Sequence, residues 1–274
     1  MAIESLAADI RARGVITYSS GNHAQGVARA ARLLGIPAVI VMPSDAPGIK
    51  RDRVAADGAE IVIVGSASDE RQRVAESIAA ERSLSIIPPF DDARIIAGQG
   101  TIGLELDADV PDLAVVLVPV GGGGLESGVA TAIRSLRPGV RVIGVEPELA
   151  ADAGESLERG HIVRWPAELV SRTIADGART QGLGVQTFAH LSAWLDRIVT
   201  VSEAEIAAAV RLAADRSRLV VEPSGALGIA AMAFHGRELG LDREEGSTVA
   251  VVSGGNVDPE RYLEYLAAPI PPEG

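Results

Sequence analysis

Cysteine is absent from all 274 residues of the sequence. Its absence excludes disulfide bonds, thiolate nucleophiles and cysteine-based zinc or iron–sulfur sites. Histidine is scarce, and none of the four, His23, His161, His190 and His235, has a partner at the spacing of the helical zinc motif H-E-x-x-H. Lysine is scarcer still: Lys50 is the only one, so arginine supplies every other strongly basic side chain.

Positive charge and long apolar runs are also in short supply. Lysine and arginine number 25 against 37 aspartates and glutamates, which gives a formal net charge of −12. This balance argues against binding to nucleic acid or to anionic membranes. The longest apolar runs, such as 36–42 and 114–120, have the length of strands and are too short to span a bilayer. The first residues lack the basic start of a signal peptide, so we expect a cytoplasmic protein.

What the sequence does contain is an alternation of apolar, β-branched runs with amphipathic stretches. The predicted strands are 16–18, 37–42, 60–64, 113–120, 141–145, 197–201 and 248–252, and the predicted helices include 23–34, 47–56 and 68–82. Continuous apolar strands are typical of a parallel sheet that is buried on both faces. The alternation therefore predicts an α/β fold with open, mostly parallel sheets and helices on both faces. Ligands of such folds bind beyond the carboxyl ends of the strands.

The first unusual strand end lies in Tyr18–Gly26, where a predicted strand passes into a helix. Ser19, Ser20 and Asn22 place hydroxyl and amide groups at the helix N-terminus, where backbone N–H groups also favour an anion. A plain helix cap with a glycine turn would explain the same residues. His23, taken alone, is typical of a histidine packed within a helix.

The second unusual strand end is the run Gly121–Gly124, followed by Leu125. Four glycines let the backbone approach a ligand closely and point successive N–H groups at a phosphate. A flexible turn explains them poorly, because such a run weakens local structure without any gain in packing. A dinucleotide site is the other alternative, with Glu146 in the place of the ribose-binding acid. It is disfavoured because Glu126 or Ser127 stands where G-x-G-x-x-G requires its third glycine.

The third unusual strand end is Val251–Asn256, which contains Ser253 followed by two glycines. A hydroxyl at this edge of the sheet could form a hydrogen bond with a ligand heteroatom. The signal is weak by itself, since Ser-Gly-Gly is also a common turn.

Together these three segments resemble one family closely: the fold type II pyridoxal-phosphate (PLP) enzymes, and within it the threonine/serine dehydratase and serine racemase group. Further segments similar to that family are Met42–Arg51, Ile96–Thr101, Thr173–Gly177 and Glu222–Gly225. The resemblance implies a two-domain fold like that of the tryptophan synthase β chain. We expect a smaller α/β domain at 15–90, and a larger PLP-binding domain formed by 1–14 and 91–274 with its N-terminal part missing.

The resemblance also implies roles for individual residues. The groups expected to bind PLP are Gly121, Gly122, Gly123, Gly124 and Leu125 for the phosphate, Asn22 for the 3-hydroxyl and Ser253 for the pyridine nitrogen. Those expected to bind the substrate carboxylate are Ser19, Gly21 and His23, through N–H groups and the helix dipole. Ser20 matches the residue that acts as acid or base on one face of Cα in racemases.

A metal site is implied as well. Glu146, the carbonyl of Ala150 and Asp152 resemble the divalent-metal site of the serine racemase branch. Oxygen ligands of this kind suit Mg²⁺ or Ca²⁺. A solvated acidic surface is the alternative explanation for the two carboxylates.

The lysine that holds PLP as a Schiff base in this family has no counterpart in the sequence. In the family it lies upstream of Ser-Ser-Gly-Asn, in a stretch like Ser-Phe-Lys-x-Arg-Gly-Ala, and Met1–Leu6 begins just after the point where that stretch would end. Lys50 matches a helix position in the smaller domain that has no catalytic role. We therefore expect this chain to be inactive by itself.

The activity implied by the resemblance is PLP-dependent dehydration and deamination of L-threonine or L-serine to a 2-oxo acid and ammonia. The implied partner is a small amino acid, and the intact family forms homo-oligomers, as dimers or tetramers. Two alternatives stay open. One is a serine or aspartate racemase. The other is a non-catalytic chain that binds PLP or an amino acid, or that joins an intact relative as a subunit.

Overall fold

The computed structural model describes residues 1–19, 21–65 and 67–272, and its contacts divide the chain into two compact units, Met1–Ile95 and Ile96–Gly274. Each unit contains a parallel sheet with helices, so the predicted α/β class is confirmed. The sequence analysis assigned residues 1–14 to the larger domain, whereas the contacts group them with the first unit.

The first unit is built on four parallel strands in the order β3-β2-β1-β4. Its strands are β1 (Val15–Tyr18), β2 (Ala38–Pro43), β3 (Glu60–Val64) and β4 (Ser85–Ile86), and its helices are α1 (Ala8–Arg13), α2 (Asn22–Leu34), α3 (Gly48–Ala56) and α4 (Ser68–Arg82). All six residues of β2 are buried, because this strand lies between β1 and β3 with apolar clusters on its two faces. The buried residues of α2 are Ala24, Val27, Ala28 and Ala31, the spacing of a single helical face.

The second unit repeats this arrangement with the strand order β7-β6-β5-β8. Its strands are β5 (Leu113–Pro119), β6 (Arg141–Pro147), β7 (Arg197–Val201) and β8 (Ser247–Ala250). The remaining helices are α5 (Ala93–Asp109), α6 (Gly124–Leu136), α7 (Asp152–Arg159), α8 (Ala167–Val170), α9 (Val185–Trp194), α10 (Glu203–Ser217), α11 (Leu227–Phe234) and α12 (Pro259–Leu266). Apolar clusters cover both faces of β5, since Val115 and Leu117 belong to one and Val116 and Val118 to the other.

Most element boundaries lie within two residues of the predicted ones. A capping box begins α10, because Ser202 N–H donates to Glu205 Oε2 at 2.7 Å and Glu205 N–H donates to Ser202 Oγ at 3.3 Å. The sequence analysis missed β4, which has only two residues and is recognisable through its pairing with β1. None of the helices in the described part of the chain combines the length and apolar character that crossing a bilayer requires.

Candidate active site

The tetraglycine loop joins the carboxyl end of β5 to the first turn of α6. Gly123 is the residue before the helix and has φ of 86°, a left-handed conformation that favours glycine. Among the described residues, none accepts a hydrogen bond from the backbone N–H groups of Gly121–Leu125. Consecutive unpaired N–H groups at a helix N-terminus form an anion site, so the loop is suited to a phosphate group.

The orientation of this loop is fixed by Thr187, a buried residue on α9 that the sequence analysis did not select. Its hydroxyl donates to the carbonyl of Gly122 at 2.8 Å and accepts from the N–H of Gly184 at 2.9 Å. A methyl group on Gly123 would lie 2.9 Å from Thr187 Cβ and 3.0 Å from Leu183 Cδ2. The Gly122 carbonyl is therefore engaged on the protein side, and glycine at 123 is required by both conformation and space.

Two further segments from the sequence analysis meet around the same loop. A Cβ on Gly121 would lie 3.1 Å from the carbonyl oxygen of Gly177, which shows how closely the two chains approach. The N–H of Gly177 donates in turn to Ser224 Oγ at 2.8 Å. This hydrogen bond joins two residues that are 47 positions apart in the sequence. It thereby connects the Thr173–Gly177 and Glu222–Gly225 motifs to each other and to the tetraglycine loop.

The turn that carries Ser253 packs against the Glu222–Gly225 motif. The N–H of Glu222 donates to the carbonyl of Gly254 at 3.1 Å, and a Cβ on Gly225 would collide with that carbonyl. Ser253 itself is exposed, one residue after the exposed Val252. The structure therefore brings Ser253 and the tetraglycine loop into one connected group of loops at the carboxyl end of the second sheet.

The serine-rich motif occupies the equivalent strand end of the first unit, between β1 and α2. The N–H of Ser19 continues the sheet by donating to the carbonyl of Val41 at 3.1 Å, and Gly21 caps α2 without any side-chain hydrogen bond to the helix. The plain-cap explanation is therefore not supported for the residues that the structure describes. Asn22 is exposed at the first helical residue, whereas Ser20 lies outside the described residues.

The His23 ring is hydrogen-bonded to the residue that follows β4 rather than to its own helix. Its Nε2 lies 3.1 Å from the carbonyl of Ile87, which makes Nε2 the protonated nitrogen of a neutral ring. Burial lowers the pKa of His23, and the Ile87 carbonyl opposes that shift only partly. The lowered pKa favours the neutral form of the His23 ring.

Lys50 lies directly over the start of α2. Its side chain is 1% exposed, and a Cβ on Gly21 would lie 2.7 Å from Lys50 Cδ and 3.0 Å from its Nζ. Glycine at position 21 therefore leaves room for the lysine. That Lys50 has no covalent role stays a prediction.

The predicted metal ligands lie together at the end of β6. Glu146 is 1% exposed and accepts from the N–H groups of Ala153 at 3.2 Å and Gly154 at 2.8 Å, in the first turn of α7. Asp152 is 2% exposed, and its Oδ2 has no hydrogen-bond partner among the described residues. A solvated acidic surface is therefore wrong for these two carboxylates.

Burial dominates the electrostatics of this pair. It raises the pKa of Glu146 to about 8, with the charge of Asp152 adding to the shift, and it raises the pKa of Asp152 as well. Ala150 is buried beside them in a short 3₁₀ turn. Within residues 1–19, 21–65 and 67–272 there is no cluster of three or more His, Cys, Asp or Glu side chains around one point, so a cation here would depend on a carbonyl ligand.

Comparisons with known proteins agree with this geometry. A family model described as pyridoxal-phosphate dependent enzyme matches residues 1–254. The chain therefore belongs to the family of PLP-dependent enzymes. The residues present fit the cofactor, because the second unit offers unpaired N–H groups for its phosphate at Gly121–Leu125.

Individual relatives show which PLP-dependent enzymes the chain is similar to. The chain is 44% identical over 267 residues to the L-threo-3-hydroxyaspartate ammonia-lyase of Saccharomyces cerevisiae, covering 97% of this chain and 79% of the relative. It is 46% identical over 247 residues to the L-threonine ammonia-lyase of Geobacter sulfurreducens, covering 90% of this chain and 60% of the relative. The structure of maize serine racemase superposes with a TM-score of 0.89 at 36% identity, covering 96% of this chain and 79% of the other. The predicted family and fold type are thus confirmed.

Proposed function

We propose that this chain carries the site of a PLP-dependent ammonia-lyase that acts on L-threonine or L-serine. The net reaction removes the β-hydroxyl as water and the amino group as ammonia, with one water consumed in the release of ammonia, and leaves a 2-oxo acid. The observation that carries the proposal is the row of unpaired N–H groups at Gly121–Leu125. The similarity to the L-threonine ammonia-lyase of Geobacter sulfurreducens supports the substrate class.

In this proposal the second unit binds and orients the cofactor. PLP, when bound, supplies an electron sink that stabilises negative charge at the substrate Cα. Gly121–Leu125 bind its phosphate, and Ser253 forms a hydrogen bond with the pyridine nitrogen. A neutral hydroxyl in that position leaves the ring less protonated than a carboxylate would, which moderates the electron demand.

The first unit binds the substrate in this proposal. The N–H groups of His23 and Ala24 in the first turn of α2 have no partner among the residues that the structure describes, and they receive the substrate carboxylate. Ser19 and Gly21 complete that carboxylate site. Asn22 forms a hydrogen bond with the cofactor 3-hydroxyl, and Ser20 moves a proton at one face of Cα.

We further propose that Glu146, the Ala150 carbonyl and Asp152 bind Mg²⁺ or Ca²⁺. Two buried carboxylates repel each other and are costly to ionise without a compensating charge. The unpartnered Oδ2 of Asp152 supports a ligand at this point. A divalent cation would tie β6 to the start of α7.

The experiment that tests the main proposal measures 2-oxobutanoate released from L-threonine by the purified chain with added PLP. We expect PLP to bind but turnover to lie far below an ordinary enzymatic rate, because Lys50 is the only lysine and it is buried. Borohydride reduction followed by peptide mass spectrometry should find no cofactor attached to Lys50. Attachment there, or ordinary turnover, would contradict this assignment of Lys50.

Adding a separately expressed, full-length relative of the L-threonine ammonia-lyase type tests the subunit alternative in the same assay. We also propose that the chain forms a homo-oligomer and is cytoplasmic. Light scattering tests the first proposal, and fractionation of the source cells tests the second. If neither PLP nor L-threonine binds in equilibrium dialysis, the proposed function is wrong.

Racemisation is the second candidate, and the buried Glu146–Asp152 pair together with the likeness to maize serine racemase favours it. Chiral chromatography of L-serine incubated with the chain separates the two reactions. D-serine as the main product would favour the racemase, and pyruvate would favour the lyase.

A further inference from the structure

Glu126 is the most unusual buried group of the second unit that the proposed mechanism leaves unused. It is 0% exposed, and neither of its carboxyl oxygens has a hydrogen-bond partner among the described residues. Buried polar groups in folded proteins are nearly always paired, because an unpaired one carries its full desolvation cost. An unpartnered carboxyl therefore calls for a functional explanation.

The position of Glu126 links it to the tetraglycine loop. It is the third residue of α6, two residues after Gly124, and so lies in the helical turn whose N–H groups face the proposed phosphate. Ala130 and Ile133 follow it on the same helical face, and both pack in the cluster that contains Val116 and Val118 of β5. The Glu126 side chain is therefore on the buried face of α6, in the helical turn that begins at the tetraglycine loop.

In the described part of the chain, no charged side chain compensates Glu126. Burial is the sole cause of its shift, and it raises the pKa of Glu126 well above the usual value. The charged and titratable groups of the elements that pack against α6 are engaged elsewhere or exposed. His190 of α9 contacts Thr131, Asp107 of α5 pairs with Arg137, Arg94 of α5 pairs with Asp92, and Arg141 of β6 pairs with Glu244, whereas Glu105 and Asp109 of α5 are exposed. Glu146 of β6 is bound by the start of α7, and β5 has no titratable residue.

We propose that Glu126 is a proton-binding site coupled to the phosphate site of the tetraglycine loop, so that a phosphate-bearing ligand binds tightly only while Glu126 is protonated. This inference rests on the proposed function, which assigns the loop to a phosphate. A carboxylate at this position would repel a phosphate dianion through a dry, apolar interior that screens charge poorly. A neutral carboxylic acid leaves the helix N-terminus and the loop N–H groups to attract the anion.

Thermodynamic linkage makes this coupling reciprocal. If the proton favours the phosphate ligand, the ligand must raise the proton affinity of Glu126 by the same factor. Binding at a pH near the pKa of Glu126 therefore takes up a proton from the buffer. Affinity is highest at low pH and falls as the pH rises through that pKa.

The test compares the dissociation constant of pyridoxal 5′-phosphate for the wild-type chain and for E126Q over the whole pH range in which both chains stay folded. Taking the ratio of the two constants at each pH cancels the titration of the ligand itself. We expect the constants to agree at the acidic end of this range, and the wild type to bind about tenfold more weakly than E126Q at the alkaline end, where Glu126 is ionised. Calorimetry in two buffers of different ionisation enthalpy should detect proton uptake by the wild type alone.

Two further variants control this comparison. E126L removes the carboxyl without adding an amide, so it should behave like E126Q if charge is the cause. E105Q removes a carboxylate from an exposed position on α5 and should behave like the wild type. Circular dichroism verifies that each variant is folded at each pH.

The outcomes separate this inference from the proposed function. A ratio that stays near one over the whole range, with pyridoxal 5′-phosphate bound, would overturn the coupling and leave the phosphate site standing. If pyridoxal 5′-phosphate binds no better than pyridoxal, which lacks the phosphate, in the wild type and every variant, the loop is not a phosphate site and the proposed function fails.

Discussion

Replacing Thr187 with valine should loosen the tetraglycine loop without changing the volume of the core. Valine has the same branched shape but no hydroxyl, so the carbonyl of Gly122 and the N–H of Gly184 both lose their partner. Leaving a buried polar group unpaired costs about 1–3 kcal/mol. Since Gly122 is buried and Gly184 half-buried, we expect a loss of about 2–4 kcal/mol in the free energy of unfolding.

The assay is urea unfolding of the wild type, Thr187→Val and Thr187→Ser, followed by circular dichroism. A loss of that size corresponds to a decrease in Tm of roughly 4–16 °C for a domain of this length. Serine keeps the hydroxyl and loses one methyl group, so Thr187→Ser should lose only about 1 kcal/mol. The affinity for pyridoxal 5′-phosphate should fall about tenfold in the valine variant and much less in the serine variant.

The pattern across the two variants is what tests the reasoning. If Thr187→Ser is as unstable as Thr187→Val, the methyl group rather than the hydroxyl matters, and the role assigned to the hydrogen bonds is wrong. If Thr187→Val unfolds like the wild type, the loop is held by other contacts.

Three more predictions concern the other parts of the site. Gly123→Ala should destabilise the second unit by about 1–3 kcal/mol, measured by urea unfolding, because it forces a side chain into a left-handed conformation and against Thr187. Mg²⁺ or Ca²⁺ at about 100 times its Kd should stabilise the wild type by about 2.7 kcal/mol relative to the chelator-treated protein. Glu146→Gln should abolish that stabilisation in a thermal-shift assay. An equal stabilisation of the variant would contradict the proposed metal site. The lowered pKa of His23 means that the unfolded chain takes up a proton near the ordinary value of 6.5 before the folded chain does. The contribution of His23 to stability should therefore be constant above about pH 6.5 and fall below it. The wild type should lose stability relative to His23→Gln between about pH 7.5 and 5.5 in urea titrations; an unchanged difference between the two proteins would contradict this role of His23.

The parts of the fold that depend on local sequence were predictable. The β5 strand and the glycine run after it are recognisable from composition alone, and the strand end where they meet is a ligand site in α/β folds generally. The capping box of α10 is equally local, because Ser202 and Glu205 are three residues apart.

The parts that depend on tertiary contacts were not predictable from pattern. Thr187 is 65 residues from the carbonyl that it holds, and a threonine near the start of a helix has no distinctive sequence signal. The same applies to Lys50, whose contact with Gly21 follows from the packing of α3 beside α2. Glu126 was noticed only as a departure from a glycine motif, since its burial depends on how α6 packs against β5.

The burial of Lys50 also has a consequence for the surface of the protein. Free pyridoxal phosphate is an aldehyde, and accessible lysine amines on ordinary proteins compete for it by forming imines. Because the single lysine is 1% exposed, no side-chain amine on this surface can compete in that way. Arginine, which stays protonated at physiological pH, supplies the remaining strong positive charge. The side chains of the exterior therefore offer no primary amine to the aldehyde cofactor that defines its family, and any covalent adduct on a side-chain amine would report on the interior alone.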